Sequence, residues 1–362
     1  MTMVVPPSDI LDLDSLTHVI DTRLAEFLKS KVNAVEGEDA RQFVALLSEF
    51  HARGGKRLRP LLCICGWHAA SGSLDLDVVV DVAASIELFH MFALIHDDVM
   101  DRSDTRRGRP AIHRLLESAW SPGSEHSHGH AEWFGVSGAI LLGDLALVLS
   151  DELLANSGLP ATRAKAMRPV LDSMRIELMM GQYYDLRSEK RLIPDVTASL
   201  RVIRYKTAKY TVERPMHLGA IAAGAQSEVL GACSDYAAPI GEAFQLRDDV
   251  LGVFGNPSVV GKSSADDLRD GKCTTLIALA LQCGSPAEVD VLRALLGKPD
   301  LDGAEADRIR EILVDTGALR QVEQMIAERR ERAHAALAAA PFPETVTRTL
   351  AALAETMTSR VR

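Results

Sequence analysis

Residues 82–101 read VAASIELFHMFALIHDDVMD, an apolar stretch that ends in three aspartates. Before those aspartates, only Ser85, Glu87 and two histidines interrupt the apolar residues. A helix that is apolar on all sides is buried in a protein core rather than lying on its surface. The stretch therefore predicts a central helix with carboxylates at its C-terminal end.

The rest of the chain also has helical periodicity. In residues 16–28 apolar side chains recur every three or four positions, and no series of short alternating segments suggests a sheet. Segments with helix-breaking residues separate these stretches at 54–55, 71–73, 157–160, 255–257, 284–286 and 341–343. We predict an all-α fold of about a dozen helices in a single domain, residues 1–362. The segment 121–132, rich in Ser, Gly and His, is predicted to be a mobile surface loop.

The composition limits the classes of protein to which the chain can belong. Its 362 residues are 47% hydrophobic and 25% charged, as in ordinary globular proteins. A net charge of -10 argues against nucleic-acid binding, which requires a basic surface. The five cysteines are scattered, mostly in apolar segments, so we expect reduced thiols in a cytoplasmic protein. We find no signal peptide, and no apolar run reaches the ~18 residues of a membrane span.

The aspartates at the end of the apolar stretch are Asp97, Asp98 and Asp101. Asp97 and Asp101 are four residues apart, so their side chains share one helix face. Carboxylates this close repel one another unless a cation neutralises them. Oxygen ligands of this kind suit Mg²⁺ whose coordination is completed by substrate phosphate. A solvated helix end is the alternative interpretation of the same pattern.

A second acidic pair, Asp248 and Asp249, lies in the apolar stretch FQLRDDVLG, residues 244–252. Burying an unpaired charge costs on the order of several kcal/mol. Nearby Lys and Arg, or a divalent metal that carries a phosphorylated substrate, would compensate for that cost. We favour the metal.

Basic clusters accompany the acidic segments. Residues 54–60 read GGKRLRP and precede an apolar helix, where cations oppose the helix dipole unless an anion binds there. Residues 105–110 read TRRGRP, and arginines can bind phosphate through paired hydrogen bonds. A solvated basic turn and a surface salt-bridge network are the respective alternatives. The pair Gly261-Lys262 lacks the glycine spacing of a P-loop.

The order of six motifs resembles the trans-isoprenyl diphosphate synthase (polyprenyl synthetase) family. The motifs are GGKRLRP (54–60), LIHDDVMDRSDTRRGRP (94–110), GQYYDL (181–186), KTAKYT (206–211), GEAFQLRDDV (241–250) and GKSSADDLRDGK (261–272). The resemblance covers about residues 53–276 and leaves 277–362 as C-terminal helices. It implies an all-α bundle around a deep central cavity, usually in a homodimer, with the two aspartate motifs facing each other across the cavity mouth.

The resemblance also implies roles for individual residues. Asp97 and Asp101 would ligate Mg²⁺ from one wall and Asp248 from the other, commonly with three ions per site and with Mn²⁺ as an alternative metal. Isopentenyl diphosphate would bind Lys56, Arg59, His90 and Arg107. The allylic diphosphate would lie among Arg106, Lys206, Thr207, Gln245, Lys262 and Lys272. The catalytic set would be Asp97, Asp98, Asp101, Lys206, Asp248 and Asp249.

The implied reaction is prenyl transfer. Mg²⁺ and lysines would stabilise the diphosphate leaving group, so that the allylic C–O bond ionises to a carbocation. The double bond of isopentenyl diphosphate would attack that cation, and a proton would then pass to the departing diphosphate. Apolar walls would exclude water, which otherwise quenches the cation.

Two details concern how this chain would differ within the family. Gly252 stands where the second motif usually has a third aspartate, which predicts weaker metal binding or altered use of longer chains. Phe92, with Phe89 below it and the small Ala93 beside it, resembles the cavity floor of geranylgeranyl diphosphate synthases, which make a C20 product. Phe92 as a plain core residue is the alternative interpretation.

Other functions remain open at this stage. A farnesyl diphosphate synthase, with a C15 product, would have two adjacent aromatic residues at that floor. A class I terpene cyclase would have a different second motif, a more aromatic cavity than 5% Phe, Trp and Tyr indicate, and no use for a second diphosphate site. A non-catalytic subunit of a heteromeric synthase gains slight support from Gly252, but the intact first motif argues against it.

Overall fold

The computed structural model describes residues 10–72, 75–120, 128–188, 191–255 and 266–359. These residues are helical nearly throughout, which confirms the predicted all-α class. The chain divides into two compact units. The N-terminal unit comprises residues 12–64 and 73–164, and the C-terminal unit comprises residues 1–11, 65–72 and 165–362. The single domain predicted for 1–362 stays a prediction.

The N-terminal unit is organised around the helix that contains the apolar stretch beginning at Val82. Its helices are α1 (Leu13–Ala34), α2 (Glu38–Ala52), the start of α3 (Leu58–Ala69), α4 (Leu76–Met100), α5 (Ile112–Ala119) and α6 (His128–Ala155). Helix α4 packs against α1, α5 and α6. Nearly all of its residues from Val79 to Phe92 are buried, as the uniformly apolar sequence predicts.

Among the residues that the structure describes, two helices are long and apolar enough, by length and composition alone, to cross a membrane. They are Leu76–Met100 and Gly129–Ala155. In the first, 78% of the most apolar window is buried inside the structure, as expected of a core helix. In the second, only 39% is buried, and the exposed residues include Trp133, Leu141 and Val148.

The predicted loop 121–132 is partly helical. Helix α6 begins at His128, so residues 128–132 belong to its first turns. Residues 121–127 lie outside the described residues. The apolar periodicity of α6 starts only at Trp133. The Ser, Gly and His content of the segment therefore did not reveal that the helix begins at His128.

The C-terminal unit holds the second acidic pair on a long central helix. Its elements are α7 (Ala161–Ser188), α8 (Val196–Val202), a π-helix (Ile203–Glu213), α9 (Arg214–Ala223), α10 (Ser227–Phe254), α11 (Asp266–Asp270), α12 (Thr275–Cys283), α13 (Pro286–Leu295), α14 (Gly303–Asp315), α15 (Ala318–Ala339) and α16 (Glu344–Thr358). Helix α10 packs against α15, α16 and the π-helix. Its fully buried Tyr236 donates a hydrogen bond of 2.9 Å to the carbonyl oxygen of Leu350 on α16.

Glycines let two neighbouring helices approach the π-helix closely. A Cβ atom on Gly181 of α7 would lie 2.5 Å from the backbone nitrogen of Lys206. A Cβ atom on Gly241 of α10 would lie 2.6 Å from the Cα atom of Ala208. Real Cβ atoms do not approach other atoms so closely, so both positions require glycine. The sequence predicted a helix here but not its π form, which is rare and often marks functional segments.

Candidate active site

The three aspartates at the end of α4 differ in burial. Asp98 is 1% exposed, whereas the side chain of Asp97 is 20% exposed and Asp101 is partly exposed. Asp101 is the C-cap residue, and its backbone N–H donates a 2.8 Å hydrogen bond to the carbonyl oxygen of Asp97. Asp97 and Asp101 thus remain accessible one turn apart, while Asp98 points into the protein.

Arg106 compensates for the buried aspartate. Its Nε atom donates a 2.7 Å hydrogen bond to Oδ1 of Asp98, and Nη2 contacts both Asp98 and, at 3.3 Å, Asp97. Burial opposes the charged guanidinium, but the hydrogen bond to Asp98 and the nearby carboxylates outweigh it and raise the pKa of Arg106. Arg106 is therefore ion-paired with Asp98, and its predicted contact with phosphate stays a prediction.

A two-residue hairpin sets the direction of the arginines. Strands β1 (Thr105–Arg106) and β2 (Arg109–Pro110) pair antiparallel, and both residues between them have positive φ, 55° at Arg107 and 71° at Gly108. A two-residue hairpin with a type I′ turn requires this left-handed conformation at both central positions. The guanidinium of Arg107 lies 6.0 Å from the ring centroid of Phe50.

Gly55 makes room for Arg107. Its φ of +147° disfavours other residues, and a Cβ atom there would lie 2.6 Å from Nη2 of Arg107. The two basic motifs of the N-terminal unit are therefore adjacent in space. That adjacency is what the predicted isopentenyl diphosphate site requires of Lys56 and Arg107.

His90 and Arg59 form a direct pair. Nη1 of Arg59 lies 2.9 Å from Nε2 of His90. Because arginine has no hydrogen-bond acceptor, Nε2 must be the unprotonated nitrogen that accepts. Burial and the neighbouring arginines hold the pKa of His90 well below its usual value, so the ring is neutral. Lys56, two residues before Leu58 at the start of α3, is exposed.

Most of the predicted allylic-diphosphate residues meet in one cavity of the C-terminal unit. Its volume is about 150 Å³. The lining includes Asp185, Lys206, Thr207, Gln245, Asp249 and Lys272. Lys262 lies outside the described residues, and Arg106 belongs to the N-terminal unit.

Hydrogen bonds connect the polar groups of this cavity. Nζ of Lys206 lies 2.6 Å from Oδ2 of Asp185. The hydroxyl of Thr207 donates to Oε1 of Gln245 at 2.7 Å, and Nε2 of Gln245 donates to Oδ1 of Asp249 at 2.8 Å. The π-helix thus presents Lys206 and Thr207 to α7 and α10, respectively. Asp248 is partly exposed beside Asp249.

Several residues of the site were not predicted from the sequence. Asp185, in the GQYYDL motif, pairs with Lys206 in the structure, and nothing in the sequence indicated that partner. Arg57 of the GGKRLRP motif forms ion pairs with the buried Glu87 and the partly exposed Asp21. Glu87 was visible as the one acidic residue inside the apolar run before the aspartates, but no spacing rule indicated its partner.

The donor set suits a hard divalent cation. Within the described ranges no group of three or more His, Cys, Asp or Glu side chains is placed to hold an ion. The accessible groups at the end of α4, Asp97 and Asp101, nevertheless offer oxygen donors only, on one helix face, as Mg²⁺ prefers. The ligand set predicted from the sequence takes these two carboxylates from the N-terminal unit and Asp248 from the C-terminal unit, and it stays a prediction.

Comparison with known proteins identifies the family to which the chain belongs. Residues 41–313 match the family model of polyprenyl synthetases. The chain is 35% identical to a geranylfarnesyl diphosphate synthase of Aeropyrum pernix over 80% of its own length and 84% of that protein. It is 32% identical to a geranylgeranyl diphosphate synthase of Methanosarcina mazei over 75% and 76%, respectively.

A solved structure agrees closely with the fold. The crystal structure of geranylgeranyl pyrophosphate synthase from Corynebacterium glutamicum, in complex with isoprenyl diphosphate and magnesium, superposes with a TM-score of 0.90 at 41% identity. The match covers 97% of this chain and 100% of that one. The chain therefore belongs to the polyprenyl synthetase family and is a prenyl-transferring diphosphate synthase.

Proposed function

We propose that the protein condenses isopentenyl diphosphate with an allylic diphosphate by 1'-4 elongation and releases geranylgeranyl diphosphate. The observation that carries this proposal is that each unit has its own cluster of cationic and polar groups beside an acidic motif. Lys56, Arg59 and Arg107 belong to one cluster, and Lys206 and Lys272 belong to the other. Two clusters suit two diphosphate substrates, whereas a terpene cyclase needs only one.

Members of this family use a divalent metal to bind diphosphate, and we propose Mg²⁺, three ions per site, with Mn²⁺ as an alternative. When bound, Mg²⁺ would supply positive charge to the diphosphate leaving group. Asp97, Asp101 and Asp248 would hold it. Asp98 would keep Arg106 in place at the end of α4, and Asp249 would do the same for Gln245.

The cationic side chains would orient the two substrates. Arg59, which contacts His90, would bind isopentenyl diphosphate together with His90, Lys56 and Arg107. The allylic diphosphate would bind Arg106, Lys206, Thr207, Gln245, Lys262 and Lys272. Asp185 holds the ammonium group of Lys206 in position. From that position Lys206 would stabilise negative charge on the leaving group. The proton lost after C–C bond formation would pass to the departing diphosphate.

Incubation with purified substrates tests the proposal. The protein, isopentenyl diphosphate, Mg²⁺ and each of the C5, C10 and C15 allylic diphosphates should give a C20 product by chromatography. Addition of a chelator should stop the reaction. Cyclic hydrocarbon products would indicate a cyclase, and no product without a second protein would indicate a non-catalytic subunit. A C15 product would make the protein a farnesyl diphosphate synthase.

The proposed C20 product is supported by an aromatic stack on α4. The ring centroids of Phe89 and Phe92 are 5.3 Å apart, and the ring of His96 lies 4.7 Å from Phe92 on the side nearer the aspartates. Phe92→Ala should give products longer than C20, because the side chain that would end the cavity becomes smaller. Phe50 is distant in sequence from Phe92 and lies next to Arg107. Phe50→Leu should therefore change the affinity for isopentenyl diphosphate but not the product length.

We also propose that the protein is a homodimer and that the exposed apolar face of α6 contacts the second copy. Leu141 and Val148 are both 62% exposed, one heptad apart on this face, and Ile140 is 41% exposed beside them. Leu141→Glu should give a monomer in sedimentation analysis. Val314 is an exposed apolar residue of a different helix, α14, so Val314→Glu should leave the dimer intact.

Finally, we propose a cytoplasmic location. The five cysteines are free thiols, and burial raises the pKa of Cys65 and Cys233 to about 12, so both stay protonated at neutral pH. Cys273 and Cys283 are more exposed than the sequence suggested. Fractionation of cells that contain the protein, with immunodetection, tests this location.

A further inference from the structure

Arg57 stands between two residues proposed to bind isopentenyl diphosphate, Lys56 and Arg59, yet its own side chain is only 2% exposed. Its φ is +48°, a left-handed conformation that is strained for a residue other than glycine. A side chain so buried cannot contact substrate. The strained backbone at this position must therefore be stabilised by what the side chain binds.

The guanidinium of Arg57 is held from three helices. Nε donates to Oδ1 of Asp21 on α1 at 2.7 Å, and Nη1 donates to Oε1 of Glu87 on α4 at 2.7 Å. Nη2 lies 3.0 Å from both Nδ1 and the carbonyl oxygen of His51 on α2. Of the two carboxylates, Glu87 is the buried one, with 3% of its side chain exposed against 38% for Asp21.

Glu87 and His90 attach the same loop at two points. They lie three residues apart on α4 and so share a helix face. Glu87 holds Arg57, and His90 holds Arg59 two residues further along, in the first turn of α3. The segment Gly54–Arg59 is thereby tied to the helix that also carries Asp97 and Asp101.

Glu87 also has an electrostatic effect on the basic cluster. Burial and the neighbouring arginines lower the pKa of Arg107, and the negative charge of Glu87 opposes this effect by favouring the charged form. Arginines packed this densely repel one another, and a buried carboxylate offsets part of that repulsion. The same carboxylate therefore serves both basic motifs of the N-terminal unit.

We propose that Glu87 is a positioning residue of the isopentenyl diphosphate site: through Arg57 it fixes the backbone that carries Lys56 and Arg59, without contacting the substrate. This inference rests on the proposed function. It predicts that a change at Glu87 weakens one substrate and spares the other, which a general loss of stability would not do.

The test compares Glu87→Gln with Asp81→Asn. Asp81 is a matched control because it lies on the same helix, is also buried and also accepts hydrogen bonds from an arginine, Arg23 of α1, at 2.6 and 3.1 Å. Its hydrogen bonds in the described part of the chain do not involve the basic motifs. Calorimetric Kd values for isopentenyl diphosphate and for an allylic diphosphate, steady-state KM and kcat, and Tm are measured for each protein.

For Glu87→Gln we expect Kd and KM for isopentenyl diphosphate to rise about tenfold, the equivalent of ~1.4 kcal/mol. The values for the allylic substrate and kcat should stay within about twofold. Asp81→Asn should lower Tm without changing either affinity. Glu87→Asp, which keeps the charge on a shorter side chain, should recover part of the lost affinity and provides a second variant if Glu87→Gln does not fold.

Equal affinities in wild type and Glu87→Gln would overturn the inference, as would an equal loss for both substrates. A wild-type protein that binds isopentenyl diphosphate without turning it over would contradict the proposed function, and the Kd comparison would still decide the role of Glu87. A wild-type protein that does not bind this diphosphate would contradict both.

Discussion

The acidic end of α4 and the acidic pair on α10 are stabilised by different kinds of partner. On α4, the buried Asp98 is bound by the guanidinium of Arg106, which comes from a hairpin eight residues later. On α10, Asp249 accepts a hydrogen bond from the neutral amide of Gln245, four residues earlier on the same helix. The cation beside it, Lys206, is paired with a carboxylate of α7.

The difference suggests that the two regions respond differently to metal. In the N-terminal unit an arginine already compensates for the buried carboxylate, and the proposed ligands of the ion are the more exposed Asp97 and Asp101. In the C-terminal unit the second motif has Gly252 where a third aspartate usually stands. We therefore expect the N-terminal motif to determine turnover and the C-terminal motif to determine how much Mg²⁺ is needed.

The largest effect should come from Asp97→Ala. Loss of this carboxylate should lower kcat by about a thousandfold, because charge stabilisation at the leaving group is lost. Asp104→Ala is the control, since the side chain of Asp104 is 76% exposed and pairs with Arg114 at the base of the hairpin. Steady-state assays at saturating Mg²⁺ measure both variants. Equal activities would refute the assignment of the metal site to α4.

Asp248→Ala should have a smaller effect that depends on metal concentration. At limiting Mg²⁺ turnover should fall roughly a hundredfold, and excess Mg²⁺ should restore much of it, because the lost ligand weakens binding that mass action can recover. Asp235→Ala, an exposed change on the same helix, should behave as wild type. If turnover of Asp248→Ala were unchanged at low Mg²⁺, the role given to α10 would be wrong.

Asp185→Asn should act on the allylic substrate alone. Without the carboxylate, Lys206 loses the partner that orients it, and KM for the allylic diphosphate should rise about tenfold. KM for isopentenyl diphosphate, whose proposed site lies in the other unit, serves as the internal control. A lower allylic KM would mean instead that Asp185 competes with the diphosphate for Lys206.

Gly241→Ala should have the smallest effect on turnover and a clear effect on stability. Its Cβ atom would collide with Ala208 of the π-helix, so the free energy of unfolding should fall by about 1–3 kcal/mol in urea denaturation. Gly231→Ala is on the same helix with no atom within 4 Å of the new Cβ, and should raise stability by roughly 0.5–1 kcal/mol. If wild type and Gly241→Ala had equal urea midpoints, the π-helix could shift to accommodate the new Cβ atom at no cost in stability.

The sequence predicted the central helix of the N-terminal unit and most residues of the cavity in the C-terminal unit. Residues 82–101 are apolar on every side, and only a buried helix accommodates that pattern. The spacing of four positions from Asp97 to Asp101 fixes their shared face, because a helix has 3.6 residues per turn. Five of the six residues assigned to the allylic site lie in the described chain, and four of them line one cavity.

Contacts between distant segments could not be predicted in the same way. Periodicity shows which face of a helix is buried but does not identify the partner of a buried charge, so Glu87 with Arg57 and Asp185 with Lys206 emerged only from the structure. The π-helix belongs to the same category. Its close packing against α7 and α10 depends on the absence of side chains at Gly181 and Gly241, which lie on those two helices.

By itself, the sequence determined the all-α class, the buried position of α4 and the chemical character of the two acidic motifs, since these follow from local spacing and composition. The tertiary structure alone decided which charges pair, which aspartate is buried, and how the basic loop 54–59 is attached to α4. The physical reason is that a buried charge requires a partner within hydrogen-bonding distance, and chain folding brings that partner from a remote part of the sequence.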